Sequence, residues 1–390
     1  MARVARSRMV TPADPSGAAF AGALAHVECL PLGDSVIAHN RESGAMVATN
    51  AFGAMLIDHL RATPDAAAVV RTIAATLDQP EAAVRGAVEA TLARWSADGI
   101  FLTAQRPFPT AAPYRPVAAG TTRHLSLDAR AVTVASEDAT LVEDLDRALA
   151  PLGLEQERPF ASGRPLRLDV LQAGAGYGVF RNGAPVWGVA SYELTRFHLL
   201  REIMDGLIGP ERVAAQLHAS AVSLAGRALI FSGASGSGKS TLATVLVGEG
   251  AVQAADDHVA LATEGHRLFA FPTRPNLKPG AAALPELRAF VEVAGAEAGG
   301  DRTAPRVPVG TALDLAAFVF PSYAPDAENM RVRLTPEAAL RELIQTGSRV
   351  SRTTRSIAPL LAALENRPSW RLTYRDSAFA CNECRALVAG

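Results

Sequence analysis

Cysteine is scarce in this chain, with three residues in 390. An odd number of cysteines in a long chain does not make a disulfide scaffold, and it suits a reducing cytosol. Cys381 and Cys384 form a C-x-x-C pair, but a zinc ribbon needs a second such pair, which the sequence lacks. We therefore interpret the pair as two residues one turn apart on a terminal helix.

Long apolar runs and excess charge are also missing. No run reaches the ~18–20 apolar residues that span a bilayer, and the net charge is −1, which gives no global attraction to nucleic acid or anionic lipid. Three early arginines precede an Ala-rich stretch, but Pro12 and Pro15 separate them from it. We expect a disordered leader over residues 1–27, a cytoplasmic protein, and neither nucleic-acid nor membrane partners.

Hydrophobic residues make up 49% of the chain and charged residues 20%, which is typical of globular cores. The length predicts two or three domains. Four prolines in residues 105–118 indicate a stiff linker. The expected parts on either side of it are 28–104, 119–208 and 209–390.

The pattern over 28–104 predicts a small winged-helix-like α+β domain. Its turn and capping residues indicate a hairpin over 34–48, three helices that begin after Asn50, after Thr63 and at Pro80, and a strand over Ile100–Leu102.

The segment VATNAFGAMLIDHL, residues 47–60, resembles the strand-to-helix junction of the PqqD family of peptide chaperones. The resemblance covers about residues 30–103 and implies that this domain binds the leader of a ribosomally made precursor peptide. The alternative is a generic winged helix that binds DNA. Arg85 and Arg94 alternate with Glu81 and Glu89 on the third helix, so no basic face supports DNA binding.

Residues 119–208 are predicted to form a small mixed α/β segment in which no catalytic motif is found. A helix is expected from 136–138 to about Leu152 and another from about Ser191 to Leu207. Asn182-Gly183 predicts a tight hairpin turn between them.

The main motif is GASGSGKS, which fits the phosphate-loop pattern G-x-x-x-x-G-K-[ST] between the apolar strand Arg227–Phe231 and a helix. In such a loop the backbone N–H groups and the helix N-terminus face the phosphates, the lysine neutralises them, and the following serine binds Mg²⁺. The predicted ATP-binding residues are Gly233, Ser235, Gly236, Ser237, Gly238, Lys239, Ser240 and Thr241.

Two acidic residues, Asp256 and Asp257, end the strand that follows the phosphate-loop helix. We expect that strand to lie next to the loop strand, so that both carboxylates face the terminal phosphate. One can then hold Mg²⁺ while the other accepts a proton from an attacking hydroxyl. We assign Asp256 as the base and Asp257, with Ser240, as metal ligands; the sequence leaves the order of these roles open.

His218 is placed at the same site by strand pairing. Residues 218–224 alternate as a strand does, and Ala225-Gly226 predicts a hairpin turn. A hairpin centred there puts His218 opposite Gly233, the first glycine of the loop. We therefore predict that His218 acts in catalysis with Lys239 and Asp256.

These features together resemble the HPr kinase/phosphorylase family, on the text LHASAVSLAGRALIFSGASGSGKSTLATVLVGEGAVQAADDHVAL. The resemblance implies a phosphate-loop core of the HPr kinase and phosphoenolpyruvate carboxykinase type, ATP and Mg²⁺ as cofactors, and phosphorylation of a serine. The family often has an acid where Ala234 stands and a Glu where Thr241 stands. These departures weaken HPr itself as the substrate and leave phosphorolysis open.

Two downstream segments carry basic residues. Arg274 or Lys278 would close over the phosphates, and the arginines of Arg349–Arg355 would form a lid or a peptide contact. Neither pattern excludes ordinary surface charge.

The favoured function is an ATP-dependent kinase acting on a Ser or Thr hydroxyl of a precursor peptide, whose leader is bound by residues 28–104. The alternatives are a non-catalytic nucleotide-gated peptide-binding module and a small-molecule kinase. A homo-oligomer is compatible with the sequence.

Overall fold

The computed structural model describes residues 22–102, 114–154, 165–282, 284, 287 and 304–389. The chain forms two compact units, Met1–Arg106 and Pro107–Gly390. Most of the predicted leader, 1–21, and the first part of the predicted linker, 105–113, lie outside the described residues, as do residues 103 and 104.

The first unit consists of an antiparallel sheet, in the order β1-β2-β3, and three helices. The strands are β1 (Val27–Leu32), β2 (Ser35–Asn40) and β3 (Met46–Thr49), and the helices are α1 (Ala51–Ala62), α2 (Ala66–Leu77) and α3 (Glu81–Ala97). Leu56, Ile73 and Trp95, one from each helix, are fully buried in its core. Apolar burial of this kind is the main stabilising term of so small a unit.

Two expectations for this unit, the end of the leader and the last strand, are corrected. The leader does not extend to residue 27, because Leu24 is fully buried and β1 begins at Val27. No strand forms over Ile100–Leu102; this segment is a turn whose carbonyl oxygens at 100 and 102 accept hydrogen bonds from Asn40 Nδ2 at 2.6 and 3.0 Å.

The first two helices of the first unit are each capped at the N-terminus by a polar side chain. Asn50 caps α1, as predicted, by accepting from the Gly53 N–H at 3.1 Å. The cap of α2 is Asp65, which accepts from the Ala67 N–H at 2.9 Å, and not Thr63. A carboxylate oxygen at this position accepts a hydrogen bond from a helix N–H that has no partner within the helix. Its negative charge also interacts favourably with the positive N-terminal end of the helix dipole.

The second unit opens with a mixed sheet in the order β4-β5-β6-β7-β8, in which only β5 and β6 are parallel. Its elements are β4 (Thr121–Leu127), β5 (Arg130–Ser136), α4 (Ala139–Leu149), a 3-10 turn (Ala150–Leu152), β6 (Leu166–Ala173), β7 (Gly176–Arg181), β8 (Ala184–Pro185) and α5 (Tyr192–Ile208). Ser191 caps α5, and Asn182-Gly183 forms the turn between β7 and β8, as predicted.

Ten described strands form the larger sheet of this unit, along the path β12-β10-β11-β15-β14-β13-β9-β17, with β18 between β15 and β16. The strands are β9 (Val213–Leu217), β10 (Ala219–Leu224), β11 (Arg227–Ser232), β12 (Val252–Ala255), β13 (Val259–Ala262), β14 (Arg267–Phe269), β15 (Ala312–Tyr323), β16 (Met330–Leu334), β17 (Arg349–Val350) and β18 (Ser369–Tyr374). The helices are α6 (Lys239–Gly248), α7 (Pro279–Ala282), α8 (Pro336–Gln345), α9 (Ala358–Asn366) and α10 (Ser377–Ala389).

The two sheets of the second unit share one core. Val132 of β5, Ile203 of α5 and Phe271, which follows β14, are fully buried in the same cluster. A second cluster lies between β11, α6 and α10 and includes Cys381 and Cys384, both fully buried on α10 one turn apart. Burial raises the pKa of the Cys384 thiol, which makes it an inert apolar side chain.

The described helices include no segment long and apolar enough to cross a bilayer. The second unit is a mixed α/β fold, as expected, and its larger sheet positions the phosphate loop.

Candidate nucleotide site

The phosphate loop connects β11, which ends at Ser232, to α6, which begins at Lys239. Gly238 has φ +100° and Gly233 has φ +156°. A Cβ at Gly238 would lie 2.6 Å from the Tyr374 hydroxyl, and one at Gly233 would lie 2.8 Å from Ser237 Oγ. These two glycines are therefore required both by backbone conformation and by space.

Lys239 is the basic residue at the centre of the loop. Its side chain is buried, and Nζ donates to the carbonyl oxygens of Gly233 at 2.8 Å and Ala234 at 3.2 Å. Burial lowers the pKa of this ammonium, while Asp257 and Asp256 act in the opposite direction. The loop thus holds a desolvated cation where phosphate oxygens bind in proteins with this motif.

His218 lies beside the loop, where the hairpin arithmetic predicted it. The last pair of the β10–β11 ladder is Ala219 with Ser232, so the next positions outward are His218 and Gly233. The backbone N–H of His218 donates to Ser348 Oγ at 3.1 Å, and its Nδ1 donates to the Thr346 carbonyl oxygen at 2.7 Å. This bond fixes the tautomer and leaves Nε2 as an acceptor.

Nε2 of His218 faces Asp257 Oδ1 at 3.9 Å, which is too long for a direct hydrogen bond. Burial lowers the pKa of His218, and the bond to Thr346 opposes this only in part, so the ring is neutral near pH 7. Two acceptors therefore face each other across a gap that a hydroxyl proton could enter.

The two aspartates follow β12, but β12 is not next to the loop strand. β10 lies between β11 and β12 and is antiparallel to both, so the prediction of direct adjacency is wrong. The carboxyl ends of β11 and β12 nevertheless meet at one edge of the sheet. Ser220 of β10 spans the intervening distance: its Oγ donates to Asp256 Oδ1 at 2.5 Å and lies 3.4 Å from Ser240 Oγ.

Asp256 and Asp257 have different surroundings. Asp256 is 2% exposed, and its Oδ2 accepts from the Asn276 backbone N–H at 2.8 Å. Burial raises the pKa of Asp256 to about 7, and the neighbouring charge of Asp257 adds to the rise. Asp257 has φ +60°, and its half-buried carboxylate faces His218, with Asn276 Nδ2 at 3.4 Å from Oδ2.

A divalent cation fits this set of oxygen donors. The Ser240 hydroxyl and the Asp256 carboxylate converge through Ser220, and Mg²⁺ prefers such hard oxygen ligands. The raised pKa of Asp256 marks a carboxylate with too little positive charge around it, which a cation would supply. The described residues contain no group of three or more His, Cys, Asp and Glu able to hold a metal, so phosphate oxygens would complete the coordination.

The two downstream basic segments have different outcomes. Lys278 reaches the loop, as predicted, with Nζ donating to Ser235 Oγ at 2.9 Å. Arg274 lines a separate pocket, and its backbone N–H donates to the Ala148 carbonyl oxygen at 2.9 Å.

For Arg349–Arg355 the sequence left open a lid or a peptide contact. The first two arginines do not form a lid, because their side chains are bonded within the second unit, and the peptide contact stays a prediction. Arg349 is half-buried and donates to Gln216 Oε1 at 2.7 Å and Glu202 Oε1 at 3.1 Å. Arg352 donates to the Val186 carbonyl oxygen at 2.9 Å. These arginines join α5 and β9 to the segment after α8, because the buried carboxylate of Glu202 needs positive partners.

Two tyrosines are the last residues of β15 and β18, the strands that lie on the opposite side of β11 from the aspartates. Tyr323 ends β15 and is 49% exposed, and its backbone N–H donates to the Ser237 carbonyl oxygen at 3.1 Å. Tyr374 ends β18, and its ring centroid lies 5.7 Å from that of Tyr323. The mouth of the loop thus has acids on one side and an exposed aromatic ring on the other.

Sequence reasoning missed Ser220, Asn276, Thr346 and the two tyrosines. For Ser220 a signal was present, because it lies two residues after His218 and side chains two apart in a strand share a face. Asn276 and Thr346 approach the site from distant loops, and nothing in their local sequence indicates it.

No protein-family model matches the chain, and no curated protein matches its sequence. One solved structure similar to part of it is the Hpr(Ser) kinase/phosphatase from Coxiella burnetii. The two are 11% identical with a TM-score of 0.25, over 45% of this chain and 93% of that chain. A TM-score below 0.5 assigns no function to this chain.

Proposed function

We propose that the second unit is an ATP-dependent kinase that transfers the γ-phosphoryl group to a Ser or Thr hydroxyl of a precursor peptide. The observation that carries this proposal is the meeting of a complete phosphate loop with two carboxylates and a neutral histidine at one sheet edge. Phosphoryl transfer needs those two elements: fixed positive charge around the phosphates and an acceptor for the hydroxyl proton.

On this proposal the residues divide the work as follows. Lys239, the loop N–H groups and the N-terminus of α6 bind and neutralise the phosphates. Ser240 and Asp256 hold Mg²⁺, which when bound would offset the charge of the phosphate oxygens. Asp257 accepts the hydroxyl proton, since it is the more exposed carboxylate and faces the Nε2 acceptor of His218.

This division reverses the roles that we assigned to the two aspartates from the sequence. The buried Asp256 is bonded to Ser220 and Asn276 and has little access to an incoming hydroxyl. A buried carboxylate next to the loop serine is better suited to a cation than to a substrate.

The nucleotide base would stack on the exposed ring of Tyr323. The ring stands at the loop mouth, opposite the aspartates, and its backbone is tied to Ser237. Stacking a base on an aromatic side chain stabilises binding without reading the base edge.

A peptide acceptor is proposed because a compact N-terminal unit precedes the kinase unit and resembles, in sequence, a family of peptide chaperones. The test is nucleotide turnover: ADP formation by the full chain with Mg²⁺ should rise when the precursor peptide is added. A rate of ADP formation that is unchanged by the peptide but rises with a small hydroxyl compound would point to a small-molecule kinase. Peptide binding without ADP formation would point to a nucleotide-gated binding module.

A further inference from the structure

A small polar pocket lies next to the candidate site in the second unit. It is open to solvent, has a volume of about 290 Å³ and is lined by α4, by the start of α5 and by residues 274–276. Its polar lining includes Asp144, Arg147, Tyr192, Arg196, Arg274 and Asn276. The volume is at the lower limit of small-molecule pockets, so it suits part of a ligand rather than a nucleotide.

The pocket carries an excess of positive charge. Three arginines line it, against the carboxylates of Asp144 and Glu193. Asp144 is already engaged, because the Tyr192 hydroxyl and the Arg147 guanidinium both donate to it. Burial raises the pKa of Asp144, but these two hydrogen bonds outweigh it, so the carboxyl stays ionised and its charge is largely balanced within the pocket wall.

Arg196 is the residue best placed to bind an anion there. It lies one turn into α5, is half-buried, and forms no hydrogen bond or ion pair within the part of the chain that the structure describes. A guanidinium binds a carboxylate through two parallel N–H donors. Asp144 attracts the Arg196 charge without a hydrogen bond between them, because its oxygens already accept from Tyr192 and Arg147. The half-buried guanidinium of Arg196 therefore favours binding of an anionic group from a ligand.

Two contacts connect this pocket to the candidate base. Asn276 lines the pocket, and its backbone N–H bonds Asp256 while its side chain reaches Asp257. Phe197 follows Arg196 on α5, and its ring centroid lies 5.1 Å from that of His218. Asn276 thus belongs to both the pocket and the aspartate site, and α5 carries Arg196 into the pocket and Phe197 against His218.

We propose that this pocket binds a carboxylate of the acceptor peptide, so that the phosphorylated hydroxyl lies in an acidic segment. This inference rests on the proposed kinase function and adds the class of acceptor to it. A carboxylate held by Arg196 would place a nearby Ser or Thr hydroxyl in front of Asp257. The pocket would then select acidic acceptors and leave neutral or basic ones loosely bound.

The test compares two synthetic pentapeptides with the full chain by isothermal titration calorimetry. Both have a central serine; in one it is flanked by aspartates and in the other by asparagines, which have the same shape without the charge. We expect the acidic peptide to bind about tenfold more tightly, the size of effect that one charge-assisted hydrogen bond gives. Arg196→Gln should remove this preference.

The matched control is Arg341→Gln, since Arg341 is an exposed arginine on α8 away from the pocket. This variant should keep the preference in full, and both variants should melt at the wild-type temperature. Arg196→Glu should reverse the preference towards a lysine-flanked peptide. Equal binding of the two peptides by the wild type, or equal effects of the two Gln variants, would overturn the proposal.

Inorganic phosphate is the second probe. If millimolar phosphate binds through Arg196 and the acidic peptide does not, the pocket is a free-anion site and the peptide assignment fails. The kinase proposal is tested separately, by measuring phosphate transfer to the same peptides in the presence of ATP and Mg²⁺. Transfer without acidic preference would overturn the pocket alone, whereas acidic binding through Arg196 without any transfer would support the pocket and overturn the kinase.

Discussion

Two adjacent aspartates of the same chemistry have been given different physical properties by their surroundings. Asp256 is enclosed by Ser220 and the backbone of Asn276, so its charge is costly and its pKa is raised to about 7. Asp257 turns away through a positive φ and keeps access to solvent and to His218. On our proposal, one of these carboxylates holds the cation and the other accepts the proton.

Single substitutions at these aspartates should separate the two roles. Asp257→Asn should lower phosphate transfer by about 100-fold or more, the usual contribution of a positioned base, with nucleotide affinity nearly unchanged. Asp256→Asn should weaken nucleotide binding in Mg²⁺ but not in EDTA. Titration of a fluorescent ATP analogue in both buffers checks this; loss of Mg²⁺-supported binding in Asp257→Asn alone would restore the order assigned from the sequence.

The raised pKa of Asp256 also predicts a pH dependence of stability in metal-free buffer. The folded state keeps the carboxyl proton up to about pH 7, whereas the unfolded chain releases it near pH 4. The stabilisation from the protonated form is therefore complete below about pH 4 and is lost as the pH rises through 7.

Thermal melts in EDTA from pH 4 to 8 measure this effect. Relative to Asp256→Asn, the wild type should lose stability steadily up to about pH 7 and then level off. A difference between the two proteins that does not vary with pH would contradict the assigned pKa.

At the scale of elements, the phosphate loop is held from both sides. Ser220 of β10 and His218, the residue before β10, lie on the acidic side, and the end of β15 bonds the loop backbone through the Tyr323 N–H on the other. The side chains to which we assign catalysis and base stacking thus come from neighbouring strand ends.

Replacing the Tyr323 ring should weaken binding of the nucleotide base and leave binding of the phosphates unchanged. Tyr323→Ala should weaken ATP binding about tenfold, since stacking contributes roughly 1–3 kcal/mol, while Tyr323→Phe should bind normally. Inorganic tripolyphosphate lacks a base and should bind wild type and variant alike. Equal losses for ATP and tripolyphosphate would show that Tyr323 supports the loop instead.

A buried ionic cluster joins α5 to the segment after α8. Glu202 accepts from Arg181 at 2.8 Å and from Arg349 at 3.1 Å, and its side chain is 2% exposed. Glu202→Gln should cost about 3–5 kcal/mol of unfolding free energy, because it leaves the buried guanidinium of Arg349 without the carboxylate to which it donates, whereas Arg181 keeps Asp205 at 2.9 Å. Asp314→Asn, which removes the exposed partner of Arg267, should cost much less, because solvent screens an exposed ion pair. Urea unfolding of both variants makes the comparison; similar losses would show that the cluster contributes no more than a surface pair.

The sequence predicted correctly the features that depend on residues close together in the chain. The phosphate loop, the Asn50 cap and the pairing of His218 with Gly233 follow from turn chemistry and strand arithmetic within a few residues. Asn276 reaches the aspartates from a loop 20 residues away, and Thr346 reaches His218 from 128 residues away. Local propensity carries no information on such contacts, and it likewise could not show that β10 separates β11 from β12.

At the scale of the whole molecule, the chain is divided at Arg106 into two units, each with its own core. Residues 119–208 belong to the same unit as the phosphate loop, with which they share a continuous core. Leader binding and phosphate transfer are therefore expected to be separable functions.

Removing the first unit should abolish leader binding and leave nucleotide binding unchanged. A chain beginning at Pro107 should retain wild-type ATP affinity and lose binding to the precursor leader, as measured by calorimetry with each ligand. Loss of ATP binding would show that the second unit depends on the first, and retained leader binding would place the leader site outside residues 1–106.

The central claim, that this chain phosphorylates a peptide hydroxyl, is tested most directly by tandem mass spectrometry of the precursor peptide after incubation with the full chain, ATP and Mg²⁺. We predict the addition of one phosphate, located on a Ser or Thr next to an acidic residue, and its loss with Asp257→Asn. A precursor that binds tightly but returns unmodified from both proteins would contradict the claim.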